Sequence, residues 1–177
     1  MIKNTGIKYG IFGAIVLQGW LLGLFLVDKQ LITQSFYTYW LPLLVIFPPF
    51  MYKAAVDEYK ISGTKDFRQT LRVPFLAFAV ANVFFWLCLY GIHLAEPELA
   101  RIELTQQLHF AEEQLKQGLG DPQQMNKIRQ QVNDITAELN RPSQQPLGPY
   151  FFSMAIWMIL GFGISAAVTA LVRSTHR

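Results

Sequence analysis

The sequence predicts an all-α protein: a four-helix transmembrane bundle with an external α-helical hairpin between spans three and four. Three observations predict it. Of the 177 residues, 52% are hydrophobic and 14% aromatic but only 15% charged, against about 25% charged in an average soluble protein. The 15 basic and 12 acidic residues avoid four windows, 9–27, 30–52, 73–95 and 142–172, so 96 residues carry no charge and the other 81 carry all of it. The longest polar stretch, 96–141, holds two helical patterns, each with a single apolar seam. Windows of this kind cannot form a water-exposed surface, and the whole chain, 1–177, reads as a single integral membrane domain.

A helix rises about 1.5 Å per residue, so a hydrocarbon core of about 30 Å takes roughly 20 apolar residues. The first span, 9–27, follows Lys3 and Lys8 like a signal peptide. It is long for such a core, and Gly23–Val27 has no small-x-small cleavage site, so it reads as a retained anchor. Span two, 36–52, contains Pro42, Pro48 and Pro49. Proline removes an N–H donor, which leaves a full span and a re-entrant segment both open. Span three covers 73–95 and span four 147–172.

Lys and Arg accumulate on cytoplasmic flanks. The N-terminal tail (Lys3, Lys8), the loop 53–72 (Lys53, Lys60, Lys65, Arg68, Arg72) and the C-terminal tail (Arg173, Arg177) hold nine basic residues in 33 positions. In 96–141 five basic residues face eight carboxylates. Both termini and the 53–72 loop are therefore expected in the cytoplasm, with 96–141 outside. Thr64 is expected to cap a helix through Asp66 and Phe67 that runs directly into span three. The five basic residues of the loop are expected against lipid headgroups; a docking site for an acidic partner is the alternative. Tyr37, Tyr39, Trp40, Tyr90 and Tyr150 would mark the outer interface, and Tyr9 and Tyr52 the inner one. A pI near 9 with basic residues at one membrane face points to lipid, not nucleic acid.

Glu96–Pro97–Glu98 is a helix start, with proline in the first turn and carboxylates at the positive end of the dipole. Leu104, Leu108, Ala111 and Leu115 follow at helical spacing up to Gly118–Leu119–Gly120. Asp121–Pro122 opens a second helix whose seam is Met125, Ile128, Val132, Ile135 and Leu139, closed by Arg141–Pro142. Two such helices form an antiparallel hairpin. Its seam closes on itself, or the segment 97–140 offers a surface to a partner or a second copy.

Within the spans, small residues recur every fourth position: Gly6, Gly10 and Ala14, then Gly19 and Gly23, in span one, and Gly161, Ser165 and Thr169 in span four. Such faces let helix backbones approach closely. They are expected to pack spans one and four together, a homo-oligomer seam being the alternative. The strongest intramembrane polar groups, Gln18 and Asn82, are read as helix-joining amides rather than transport groups. No nucleophile elbow, phosphate loop or His-Glu-x-x-His sequence occurs. His93-x-x-Glu96 and His109-x-x-Glu112 give two ligands each, where an open metal site normally has three. No catalytic residue, metal or cofactor is expected.

Lys8-Tyr9-Gly10 leading into an apolar span, Tyr59-Lys60, Gly63 and Phe67 ahead of span three, the long polar insertion, and a Gly161-rich last span ending in Arg173 carry a resemblance. The chain resembles the four-span membrane family catalogued as domain of unknown function 4199, found mostly in Bacteroidetes. Ser62-Gly63-Thr64-Lys65-Asp66 stands where that family often has Gly-Gly and a Ser before the Phe. The resemblance implies a bacterial inner-membrane location and supplies no activity, cofactor or catalytic residue. The expected function is a non-enzymatic scaffold or accessory subunit of a membrane complex. A small oligomeric transporter or channel for a neutral or weakly polar solute is the alternative, and an enzyme acting on lipid at the interface a third reading.

Overall fold

The computed structural model describes residues 4–63, 66–117, 122–140 and 147–175. Among them there is no strand, and six long helices make the architecture: α1 (Thr5–Val27), α2 (Phe36–Ser62), α3 (Phe67–Ala95), α4 (Pro97–Gln117), α5 (Pro122–Leu139) and α6 (Gly148–Thr175). They form two compact units, Met1–Gly91 with Leu147–Arg177, and Ile92–Pro146. Helices α1, α2, α3 and α6 are each long and apolar enough to cross a membrane, and their exposed surfaces carry Phe12, Ile15, Leu44, Phe84, Phe152 and Ile159. A surface this apolar aggregates in water and is at home in lipid. The chain is a multi-pass membrane protein.

In the first unit each helix is bounded by local chemistry. Asn4 caps α1, its side-chain oxygen accepting from Gly6 N at 3.0 Å and Ile7 N at 3.4 Å. Asp28 ends it and turns the chain into a short 3-10 segment, Lys29–Thr33, by accepting from Gln30 N at 2.9 Å. Helix α2 runs unbroken over 27 residues, so span two is long enough for a full crossing despite its prolines. Its first part winds as two wide turns, Phe36–Trp40 and Pro42–Ile46, in which Leu41 N–H donates to Phe36 O and Phe47 N–H to Pro42 O. A five-residue step of this kind is a π turn. The helix ends at Gly63, left-handed at φ +59, whose N–H donates to Tyr59 O at 3.0 Å.

Helix α3 begins after Asp66, whose carboxylate accepts from Arg68 N at 3.0 Å. Thr64, the cap expected there, lies outside the described residues. The segment 53–72 is mostly helix: α3 starts within it and runs into span three, and α2 extends into it from the other side. Charge forbids the hydrocarbon core but not the helix, so both elements continue beyond their apolar windows.

Cross-helix contacts fix the order of the bundle. Along α1, positions 6, 10 and 13 meet Val73, Ala77 with Val80, and Ala81, so α1 and α3 run parallel. Phe47 meets Phe78 and Tyr39 meets Trp86, so α2 is antiparallel to α3. Phe75 meets Phe162, Asn82 reaches Met154 and Tyr90 meets Tyr150, so α6 is antiparallel to α3 as well. The spans alternate up and down around α3. The core is filled by Leu17, Leu21, Phe47, Phe78, Phe85 and Leu89, all fully buried.

The second unit is the hairpin of α4 packed on α5. Among described side chains of α5, only Met125, Ile128, Val132, Ile135 and Leu139 are buried or half-buried, and every other one is exposed. Leu104, Leu108, Ala111 and Leu115 are likewise withdrawn from solvent on α4. The seams expected from spacing are the seams that form. The connection at Gly118–Asp121 and the closing Arg141–Pro142 lie outside the described residues.

Candidate functional site

The most unusual surroundings in the first unit are those of Asn82, one of the two intramembrane amides. Its turn of α3 faces α6, and Asn82 is fully buried, its Nδ2 donating to the carbonyl of Met154 at 3.3 Å. One turn further along α3 lies Trp86, 6% exposed. Around its indole stand Tyr39 at 5.7 Å, stacked, Phe85 at 5.6 Å, Trp157 at 6.2 Å and Tyr150 at 6.4 Å between ring centroids. Tyr150 also meets Tyr90 at 5.1 Å. Offset and edge-to-face rings at these separations each contribute about 0.5–1.5 kcal/mol beyond their area. The cluster clamps α2, α3 and α6 together. Asn82 Oδ1 and Trp86 Nε1 are both enclosed without a hydrogen-bond partner. Gln18, the other amide, is half-buried.

At the other end of the bundle the start of α1, the end of α2, the start of α3 and the end of α6 come together. The Tyr9 hydroxyl donates to Asp57 Oδ2, and Lys53 Nζ lies 3.5 Å from Asp57 Oδ1. The Arg173 guanidinium sits 5.8 Å over the Phe67 ring, a cation–π contact joining α6 to α3. Lys53, Lys60, Arg68 and Arg72 are exposed at this end, and Lys65 lies outside the described residues.

The small residues divide. A methyl added at Gly6 would stand 2.8 Å from Val73 O, and one at Gly10 2.7 Å from Val80 Cβ. At Gly161 it would fall 2.1 Å from the Phe78 ring. The small faces of spans one and four therefore both meet α3 rather than each other. Phe78 is the reason: its ring lies flush on the Gly161 backbone, and nothing with a side chain fits there. Ser165 and Thr169 are buried beside Gly161, but their hydroxyls donate to the carbonyls of Gly161 and Ser165 in their own helix, both at 2.7 Å. Gly19 and Gly23 are exposed, with nothing within 4 Å of an added methyl.

In the second unit His93 is buried with Nε2 3.5 Å from Glu103 Oε1, a carboxylate ten residues on. His109 Nδ1 lies 3.5 Å from Glu113 Oε1, both exposed. Neither pair gathers a third carboxylate, imidazole or thiol among the described residues.

Sequence reasoning placed Tyr39, Tyr90 and Tyr150 as interface markers and missed that they form one ring cluster with Trp86 and Trp157. The four-residue step from Asn82 to Trp86 was the available signal, since it puts both on one face of a helix. It also missed the Tyr9–Asp57 bond, which joins residues 48 apart and leaves no local trace. A family model described as Protein of unknown function (DUF4199) matches residues 8–174. No curated protein and no solved structure matches.

Proposed function

The chain belongs to that family, and from this premise we propose that it is a non-enzymatic scaffold or accessory subunit of a larger assembly in the bacterial inner membrane. The observation that carries the reading is the interior of the bundle, filled along its length by Leu17, Leu21, Phe47, Phe78, Phe85 and Leu89. Moving an ion or polar solute calls for polar or charged groups along a path; a packed, predominantly apolar body with no buried charge among its described residues suits the holding of partners. The lack of nucleophile, phosphate-loop and zinc-protease motifs in the sequence supports the non-enzymatic part. The end that gathers Tyr9, Asp57, Phe67 and Arg173 is assigned to the cytoplasm, because the exposed Lys53, Lys60, Arg68 and Arg72 fall there. That assignment puts both termini inside. Partners, a second copy included, would be met through the hairpin 97–140 or the open Gly19 and Gly23 side of α1.

The test has two arms. Affinity purification of cross-linked protein from native membranes is expected to return the same stoichiometric partners repeatedly, and fewer when 97–140 is deleted. Proteoliposomes are expected to shrink and re-swell in a glycerol gradient no faster than empty vesicles. Glycerol flux abolished by Asn82→Leu or Gln18→Leu would establish the runner-up, a small oligomeric transporter or channel for a neutral solute. The unpartnered oxygen of buried Asn82 is the observation in its favour.

A further inference from the structure

Asn82 Oδ1 and Trp86 Nε1 are complementary, and that complementarity is the starting point. The first can only accept a hydrogen bond and the second can only donate one. Each belongs to a side chain more than nine-tenths buried, and each lacks a hydrogen-bond partner. The Asn82 amide is anchored the right way round, since its Nδ2 faces the Met154 carbonyl at 3.3 Å and a flipped amide would set oxygen against oxygen. Buried polar atoms in native proteins almost always have a partner, and here two of complementary character stand one helical turn apart.

The spacing selects the occupant. Residues four apart on a helix are displaced by about 6 Å along its axis. Two hydrogen bonds through one oxygen, about 2.8 and 2.9 Å long, span about 5 Å between their outer atoms, a gap that side chains leaning together from such positions can present. A cation is repelled by the indole N–H and an anion by the amide oxygen, and a bare carbonyl would serve Trp86 alone. A hydroxyl does both jobs: its oxygen accepts from Trp86 Nε1–H and its proton goes to Asn82 Oδ1. The geometry points to a binding site for one neutral hydroxyl group between Asn82 and Trp86, walled by the rings of Tyr39, Phe85 and Trp157. The hydroxyl belongs to a water molecule or to the headgroup of a neutral single-hydroxyl amphiphile reaching in from the bilayer.

The experiment uses full-length protein, 15N-labelled at tryptophan, in phosphatidylcholine nanodiscs. The Trp86 indole resonance is identified by its loss in Trp86→Phe. In wild type it is expected in the hydrogen-bonded range, with an exchange or Overhauser cross-peak to water if water is the source. If an amphiphile is the source, the resonance shifts on titration with 1-decanol and stays put with decane. Thermal unfolding supplies a second measurement. Asn82→Leu and Trp86→Phe should each lower Tm, and the double variant should fall by less than the sum of the two, because the shared partner is lost only once while the Met154 hydrogen bond and the ring packing are lost separately. Additive Tm effects would overturn the site. So would an indole cross-peak to Asn82 alone, which means a direct bond with nothing between them, or an indole resonance in the free range.

Discussion

The bundle and the hairpin bury their residues by different rules. In the hairpin, each turn of α5 gives one apolar residue to the seam and polar ones to its surroundings, so polarity alone tells which side is inside. In the bundle, α1 buries Leu17 and Leu21 while Phe12, Ile15, Val16 and Leu22 of the same helix are exposed. Hydrophobicity cannot separate the faces of such a helix, because lipid is as apolar as the core. Size separates them over the first half of the helix, where the buried side carries Gly6, Gly10, Gly13 and Ala14. Contact in water is encoded in polarity and contact in a membrane in side-chain volume.

That contrast can be broken where it is sharpest. Gly161→Val puts a side chain into the Phe78 ring and is expected to cost about 3 kcal/mol through overpacking. The single cysteine, Cys88, is half-buried in α3, so its labelling by a thiol-reactive dye on heating reports global unfolding in detergent. An unchanged melting temperature would mean that volume does not set the α3–α6 contact. The hairpin should respond to the opposite change. Ile135 is 7% exposed in the seam, and Ile135→Ala is expected to cost about 2 kcal/mol by cavity formation. Hydrogen exchange should quicken in α4 and α5 and leave α1 untouched; equal acceleration in both units would contradict a separately packed hairpin.

Smaller effects sharpen the comparison. Tyr9→Phe deletes the hydroxyl that Asp57 accepts and is expected to cost about 1 kcal/mol, less than the usual charge-assisted bond because this end of the bundle is partly solvated. The loss should appear in the same Cys88 assay. Gly19→Ala is expected to change stability by no more than about 0.5 kcal/mol, since its surroundings are open. A drop as large as that of Gly161→Val would instead show that another protein surface covers Gly19.

The legibility of this fold in its sequence follows the same division. The hairpin seams could be read position by position, from Leu104 to Leu139, because water enforces a period of 3.6. The number of spans could be read from uncharged length. The small residues Gly10 and Gly161 could be recognised, but not the helix they meet: spacing marks a flat patch, and only the three-dimensional path brings Val80 and Phe78 to it. The extent of α2 was underestimated for a related reason. Lys53, Lys60, Arg68 and Arg72 end the apolar windows without ending the hydrogen-bonded helix. Of the candidate site, Asn82 stood out as a polar group in an apolar span, whereas the unpartnered oxygen of Asn82 and N–H of Trp86 depended on which atoms the fold leaves enclosed.

The wide turns at the start of α2 set that segment apart from every other in the bundle. Each carries one residue more than an ordinary turn, so side chains before Phe36 and after Ile46 are rotated about 100° per added residue relative to a regular winding. Removing one residue from either turn would let that turn relax to standard pitch while its flanks keep their bearings. The same deletion in the middle of α3 would turn half of that helix away from all three neighbours. Natural length variation among relatives is therefore expected to concentrate in this short stretch, where a gap in the chain costs least.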